Sequence, residues 1–219
     1  MEIQESNVET QESNSIVCSI TGGIGTGKSS VAKIVSDMGF TVISSDANAK
    51  EIMLNNPKVK EEIIAEFGTE SYNSDGSINN TYLAKLVFGD TEKHEKALDK
   101  LNSIVHPIVI QKMIEDVERL ETAGVELIFV ESALTFEAGL DEGFDYIITV
   151  DCKEELAIER AMQRSNMTKE EVMLRMKNQM SNQRKTEMAD FVIENNGSET
   201  ELEQSVKLII GIISQLVKN

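Results

Sequence analysis

The residues that most constrain this chain are 22–29, GGIGTGKS, which fit G-x-x-x-x-G-K-[ST] at every fixed position. From average composition, a chain of this length matches that pattern by chance about once in a hundred sequences. An apolar run of strand type, IVCSIT at 16–21, leads into it, and residues 29–38 follow with helical spacing. The order strand, glycines, helix has a physical use. Glycines let backbone N–H groups turn inward without a Cβ clash, and the helix aims the positive end of its dipole at the same point. The result is a cradle for phosphate. Gly23, Ile24, Gly25, Thr26 and Gly27 supply its backbone, and Lys28 bridges the outer phosphates. The Ser29 hydroxyl is a hard oxygen ligand for Mg²⁺, and Ser30 adds a hydroxyl toward the α-phosphate. A dinucleotide fingerprint G-x-G-x-x-G fails here. Begun at Gly23 it needs glycine where Lys28 stands, and begun at Gly22 it needs glycine where Ile24 stands.

Residues 41–45, 125–131, 146–150 and 191–194 read as four more strands, with helices over 153–164 and about 199–217. Asp46 is placed to cap the helix after the second strand. Near-continuous apolar strands separated by helices imply a parallel sheet covered on both faces. The expected fold is α/β, a three-layer P-loop NTPase-type architecture with a five-stranded parallel sheet. Some 80 residues between the second and third strands look helical apart from a turn at Asn73, Ser74, Asp75 and Gly76, too long for a simple crossover. They read as a helical lobe inserted beside the sheet. A second helical excursion lies between the fourth and fifth strands. Six of the ten methionines fall from Met162 to Met188, and their adaptable packing suits a segment that moves. One domain is expected over 16–219: a core of 16–54 and 123–219, a helical insert at about 55–122, and a lid at about 164–188. Residues 1–15, rich in Glu and Ser, read as a disordered acidic tail.

A net charge of −17 argues against a duplex-nucleic-acid or anionic-membrane partner, which would call for a basic face. No apolar run approaches the roughly 18 residues that span a bilayer, and the start has no basic or strongly apolar stretch. Cys18 and Cys152 stand alone among apolar neighbours, which suits a reducing compartment, and a cytoplasmic location is expected. His94 and His106 are too few and too far apart for a His-based metal site. Of the five arginines, Arg160, Arg164, Arg175 and Arg184 fall in one short stretch. That clustering fits a compact anion, and it fits helix-surface ion pairing with Glu170 and Glu171 equally well. The sequence sets no oligomeric state.

A base-reading Asn-Lys-x-Asp, as in GTP switches, does not occur. A P-loop chain of 219 residues with helical inserts after strands two and four has the layout of small-metabolite kinases. In that layout the first insert holds the acceptor, and the second is a lid that brings arginines onto the transferring phosphoryl group. Asp46 follows strand two, at the sheet edge shared with the phosphate loop. A carboxylate there can face the γ-phosphate and orient a hydroxyl. Its help as a base is modest and late, so catalysis rests mainly on in-line positioning and charge neutralisation.

From about Ile16 to the C-terminal helix, the chain resembles the dephospho-CoA kinase family. The resemblance is carried by ITGGIGTGKSSVA at 20–32, DGSIN at 75–79, LAKLVF at 83–88, LNSIVHP at 101–107 and VESALTFEAG at 130–139. It continues through RAMQR at 160–164, RMKNQ at 175–179 and ADFVIENNG at 189–197. The His-Pro, lid and closing-strand segments in this order are more specific than the phosphate loop. The resemblance implies Asp46 as base, His106 and Glu137 near the acceptor, and Arg160 and Arg164 in the lid. It also implies that Asn195 and Gly197 lie near adenine. ATP is the implied co-substrate, with Mg²⁺, and dephospho-CoA the implied small-molecule acceptor, phosphorylated on its ribose 3′-hydroxyl. Ser44 and Asn80 stand where the family usually shows Asp and Arg, and Glu131 is the candidate to supply the missing carboxylate. Two other readings stay open: a nucleoside or nucleotide kinase, and an ATP-binding regulator without turnover.

Overall fold

The computed structural model describes residues 15–216. Of the acidic tail expected at 1–15, only Ser15 falls within them, donating to the Val125 carbonyl at 2.7 Å. β1 (Ile16–Thr21), β2 (Thr41–Ser44), β3 (Leu127–Glu131), β4 (Tyr146–Asp151) and β5 (Phe191–Glu194) form one parallel sheet in the order β2-β3-β1-β4-β5. β1 and β3 lie inside it, and β3 is buried along its whole length. That is why both read as unbroken apolar runs. Two strand starts are held by carboxylates: Val17 N–H donates to Asp145 and Ile147 N–H donates to Asp190, each at 2.8 Å.

α1 (Lys28–Asp37) and α9 (Glu199–Leu216) cover one face. Val31 and Val35 meet Val206 and Ile210 above Ile20 and Phe129. The other face is covered by α5 (Glu92–Thr122), whose Met113, Val117 and Leu120 pack on Val17, Ile128 and Val130. At 31 residues this helix is roughly 45 Å long, so it outruns the sheet. Its first half packs with α2 (Ser45–Asn55), α3 (Pro57–Phe67) and α4 (Asn80–Val87) around Val59, Ile63, Leu83 and Ile104. One helix therefore belongs to both the sheet and the helical lobe. Ala49, Ile52 and Met53 of α2 also pack into that lobe, which begins as soon as β2 ends.

Asp46 does not cap α2. The helix starts directly after the strand, so the cap falls on Ser44, whose hydroxyl accepts from Ala47 N–H at 3.4 Å. Asp46 sits exposed in the first turn, free of that duty. Between β4 and β5 run α6 (Glu154–Ser165), α7 (Lys169–Lys177) and α8 (Asn182–Met188). A reciprocal capping box between Thr168 and Glu171 starts α7. Ile24 of the phosphate loop packs with Met162, Met167 and Met176 against this segment, so part of the methionine cluster touches the loop itself.

Phe129 is fully buried and meets Phe40 edge-on, with ring centroids 5.8 Å apart. Phe129→Ala is expected to cost about 3–5 kcal/mol through lost transfer energy and a residual cavity. Urea unfolding should show a lower midpoint with an unchanged slope.

Candidate active site

Parallel strands place all their C-terminal ends along one edge, and register decides which side chains meet there. Glu131 is paired with Ile20 on one side and with Ser44 on the other. Its carboxylate accepts from Ser29 Oγ at 2.7 Å and from Ser44 Oγ at 3.0 Å. The loop hydroxyl, the β3 carboxylate and the β2 hydroxyl thus form one cluster of hard oxygens. Among the described residues no group of three or more His, Cys, Asp or Glu side chains could by itself hold a metal ion.

The loop is built for close approach. Gly25 has φ 78°, and a Cβ there would lie 2.0 Å from the Ala157 carbonyl of α6. Gly27 has φ 101°, and a Cβ there would strike the Asn195 amide at 2.2 Å. No side chain caps the N-terminus of α1. Thr26 is buried, and its hydroxyl donates to the Gly23 carbonyl at 3.0 Å, as does Lys28 Nζ. Burial pushes the Lys28 ammonium down to about 8. Asp46 and Glu131 pull it back toward the charged form, while Lys185 and Arg164 push it further down. An arriving anion would favour the same charged form.

Gly25, Gly27, Ser29 and Ser30 line an open cleft of about 510 Å³ together with Arg160 and Arg164. Arg160 donates to the Asn195 carbonyl at 2.9 Å. Asn195 supports the loop from below, its Nδ2 donating to the Thr26 carbonyl at 2.8 Å. Gly197 lies in the turn before α9, beside Glu201, and does not line this cleft. Gly23 and Ile24 have their N–H groups occupied by residues around the start of α8: they donate to Asn182 Oδ1 at 2.9 Å and Gln179 Oε1 at 3.0 Å.

Asp46 and His106 line a second, mostly apolar cavity floored by Val109, Ile110 and Met113 of α5, with Ser132 and Leu134 opposite. It shares His106, Ile110, Leu134 and Ala138 with a larger groove of about 730 Å³ that runs past Glu137 and Asn178. His106 stands in the middle of α5, next to Pro107, and not at a helix end. Glu137, expected at the acceptor, has Oε1 engaged by Lys185 Nζ at 2.8 Å and by Met180 N–H at 2.9 Å. Arg175 stacks on Phe88 at 4.4 Å and Lys177 pairs with Asp90 at 3.1 Å, so α7 also touches the corner between α4 and α5.

The structure therefore brings the loop, Lys28, Asp46 and the α6 arginines to one edge, with His106 in the adjoining cavity. Sequence reasoning missed Gln179, Asn182 and Lys185 as neighbours of the loop. Gln179 closes the RMKNQ segment, but Asn182 and Lys185 lie in a short polar helix that gives no sign of burial.

Burial holds the His106 imidazole below its ordinary 6.5. Below that value the unfolded chain takes up a proton that the folded one resists, so His106 makes stability fall as pH drops through and below 6.5. His106→Asn should flatten the acid side of a stability-against-pH curve measured by urea unfolding, and leave the neutral side nearly level.

Over residues 16–201 the chain matches the family model described as dephospho-CoA kinase. A dephospho-CoA kinase of Listeria monocytogenes is 38% identical over 200 residues, covering 91% of this chain and 96% of that protein. A crystal structure from Thermus thermophilus superposes with a TM-score of 0.73 at 33% identity, covering 90% of this chain and 97% of that one. The dephospho-CoA kinase of Campylobacter jejuni superposes at 0.65 and 28% identity, covering 91% and 97%.

Proposed function

The chain belongs to the dephospho-CoA kinase family, and on that premise we propose how its residues carry out the transfer. The reaction phosphorylates dephospho-CoA with ATP, giving CoA and ADP, the last step of coenzyme A biosynthesis. The acceptor is an alcohol, the ribose 3′-hydroxyl. Its oxygen forms a bond to the γ-phosphorus as the bond from that phosphorus to the β,γ-bridging oxygen breaks. ADP leaves, and the hydroxyl proton passes late to the Asp46 carboxylate.

Gly25 and Gly27, with Ser29 and Ser30, cradle the triphosphate in the cleft below Arg160 and Arg164, while Gly23 and Ile24, expected in the cradle, give their N–H groups to Asn182 and Gln179. Lys28 neutralises the outer phosphates. Its depressed pKa supports this role, because a poorly solvated ammonium gains most from an incoming anion. Arg160 and Arg164 lie four residues apart on one face of α6 and share the cleft with Ser29. Mg²⁺ fits the donors present: the Ser29 hydroxyl would be the protein ligand, and Glu131, hydrogen-bonded to it, would orient that hydroxyl where Ser44 leaves no carboxylate on β2. A site with few protein oxygens suits an ion that keeps its waters and binds phosphate. When bound, it neutralises charge on the β- and γ-phosphates. Asn195 acts here through the loop, and Gly197 through the turn that follows.

The observation that carries this reading is the position of Asp46. It lines the cavity that also holds His106, and it is close enough to Lys28 to act on its charge. A hydroxyl in that cavity faces the end of a triphosphate in the loop. The helical insert thus takes the acceptor, and residues 164–188 act as the lid. Among the described residues no helix is long and apolar enough to cross a membrane. Cys18 and Cys152 are free and buried, which supports a cytoplasmic setting.

ADP release coupled to dephospho-CoA as sole acceptor tests the assignment, with nucleoside monophosphates and free nucleosides as competitors. Asp46→Asn should lower kcat by about 10²-fold or more at nearly unchanged KM for ATP. Lys28→Ala should lower kcat/KM for ATP by about 10³-fold. Wild-type rates from both variants would overturn the mechanism, and faster turnover of a nucleoside would overturn the acceptor.

A further inference from the structure

Lys185 is a lysine with no exposed surface, on a seven-residue helix, and the mechanism above gives it no task. Its ammonium donates to the Ala133 carbonyl at 2.8 Å and pairs with Glu137 at 2.8 Å. Both partners belong to the loop after β3, whose Ser132, Leu134 and Ala138 wall the cavity beside Asp46. The oxygen of Glu137 that meets Lys185 also accepts from Met180 N–H. One carboxylate therefore ties together residues 180 and 185, the two sides of the turn that opens α8.

That turn, with Gln179 just before it, makes the hydrogen bonds between this segment and the phosphate loop. Gln179 accepts from Ile24 N–H, and Asn182 accepts from Gly23 N–H while donating to Asp151 at 2.8 Å. The order of contacts is continuous: acceptor-side loop, Glu137 and Lys185, residues 179–182, phosphate loop. Every link is a hydrogen bond or ion pair of 3.0 Å or less.

We propose that Lys185 and Glu137 are positioning residues for the transfer: the ion pair between the buried lysine and the partly exposed carboxylate joins the wall of the acceptor cavity to the lid turn that grips the phosphate loop, and so fixes the two halves of the site relative to each other. Neither touches the reacting atoms. The alternative is a pair that only stabilises the fold, and the two make different predictions. In-line transfer is sensitive to misplacement by about 1 Å, which costs on the order of 10²-fold in rate. Each half-site binds its own substrate without needing the other in register. A lost positioning pair therefore lowers kcat and leaves both KM values nearly alone.

The inference rests on the kinase reading, and wild-type turnover of dephospho-CoA tests that reading separately. In Lys185→Met we expect kcat to fall by about 10²-fold with each KM within about threefold of wild type. Lys185→Arg, which keeps charge and donors, should recover at least about tenfold of that loss. Lys185→Met leaves Glu137 without its cation, so the double variant Lys185→Met with Glu137→Leu serves as the folding control. Removing both members avoids leaving the Glu137 carboxylate beside an apolar side chain without its counter-charge. The double variant should regain a urea midpoint near wild type while its kcat stays low. Hydrogen exchange gives a readout independent of activity: residues 132–140 and 179–185 should lose protection together in Lys185→Met. Wild-type kcat in a stable double variant would overturn the proposal. So would a loss confined to KM, or exchange that rises in one segment alone.

Discussion

A lysine ammonium buried almost completely, at the start of a helix with no side-chain cap, is the constraint around which this molecule is arranged. Lys28 is costly to charge there: Asp46 and Glu131 favour the charged form, and Lys185 and Arg164 oppose it. Asp46 reaches it from α2, Glu131 from β3, Lys185 from α8 and Arg164 from α6. Four separate stretches of chain must converge for one side chain to be tuned. The parallel sheet supplies that convergence, because it delivers the ends of β1, β2, β3 and β4 to one edge.

Glu131 shows how register becomes chemistry. It is the last residue of a wholly buried strand, flanked by β1 and β2, and both oxygens are used: one for Ser29 and one for Ser44. Ser44, at the end of β2, has two duties beside it, donating to Glu131 and capping α2. Capping by Ser44 leaves Asp46 unconstrained and exposed at the mouth of the cavity it lines.

The long helix α5 and the segment 164–188 each reach both the sheet edge and the helical lobe, in different ways. α5 does so by packing, with one half in the lobe core and the other on the sheet. The segment 164–188 does so through polar contacts, which break and reform more readily than a packed core. Its ties reach the phosphate loop through Gln179 and Asn182, the β3 loop through Glu137, and the lobe through Phe88 and Asp90. The methionines at 162, 167 and 176 pack with Ile24 beneath these contacts, where an adaptable side chain tolerates small shifts.

The sequence by itself determined the strand-loop-helix phosphate cradle, the parallel sheet and the helical lobe, because each is written in local pattern. Residues 22–29 carry the glycines and the lysine in order, and unbroken apolar runs mark strands covered on both faces. The order of family-like segments from the His-Pro step to the closing strand pointed to the same reaction. Only the tertiary structure decided what depends on contacts between distant residues. Lys185 and Glu137 are 48 positions apart, and nothing in a polar seven-residue helix marks its lysine as fully buried. Likewise, sequence placed Asn195 and Gly197 together near the nucleotide. The fold makes Asn195 a support beneath the loop, pressed against Gly27, and leaves Gly197 outside the cleft. Period and propensity act over a few residues, whereas a long-range ion pair is fixed by which helix the sheet's topology happens to bring beside it.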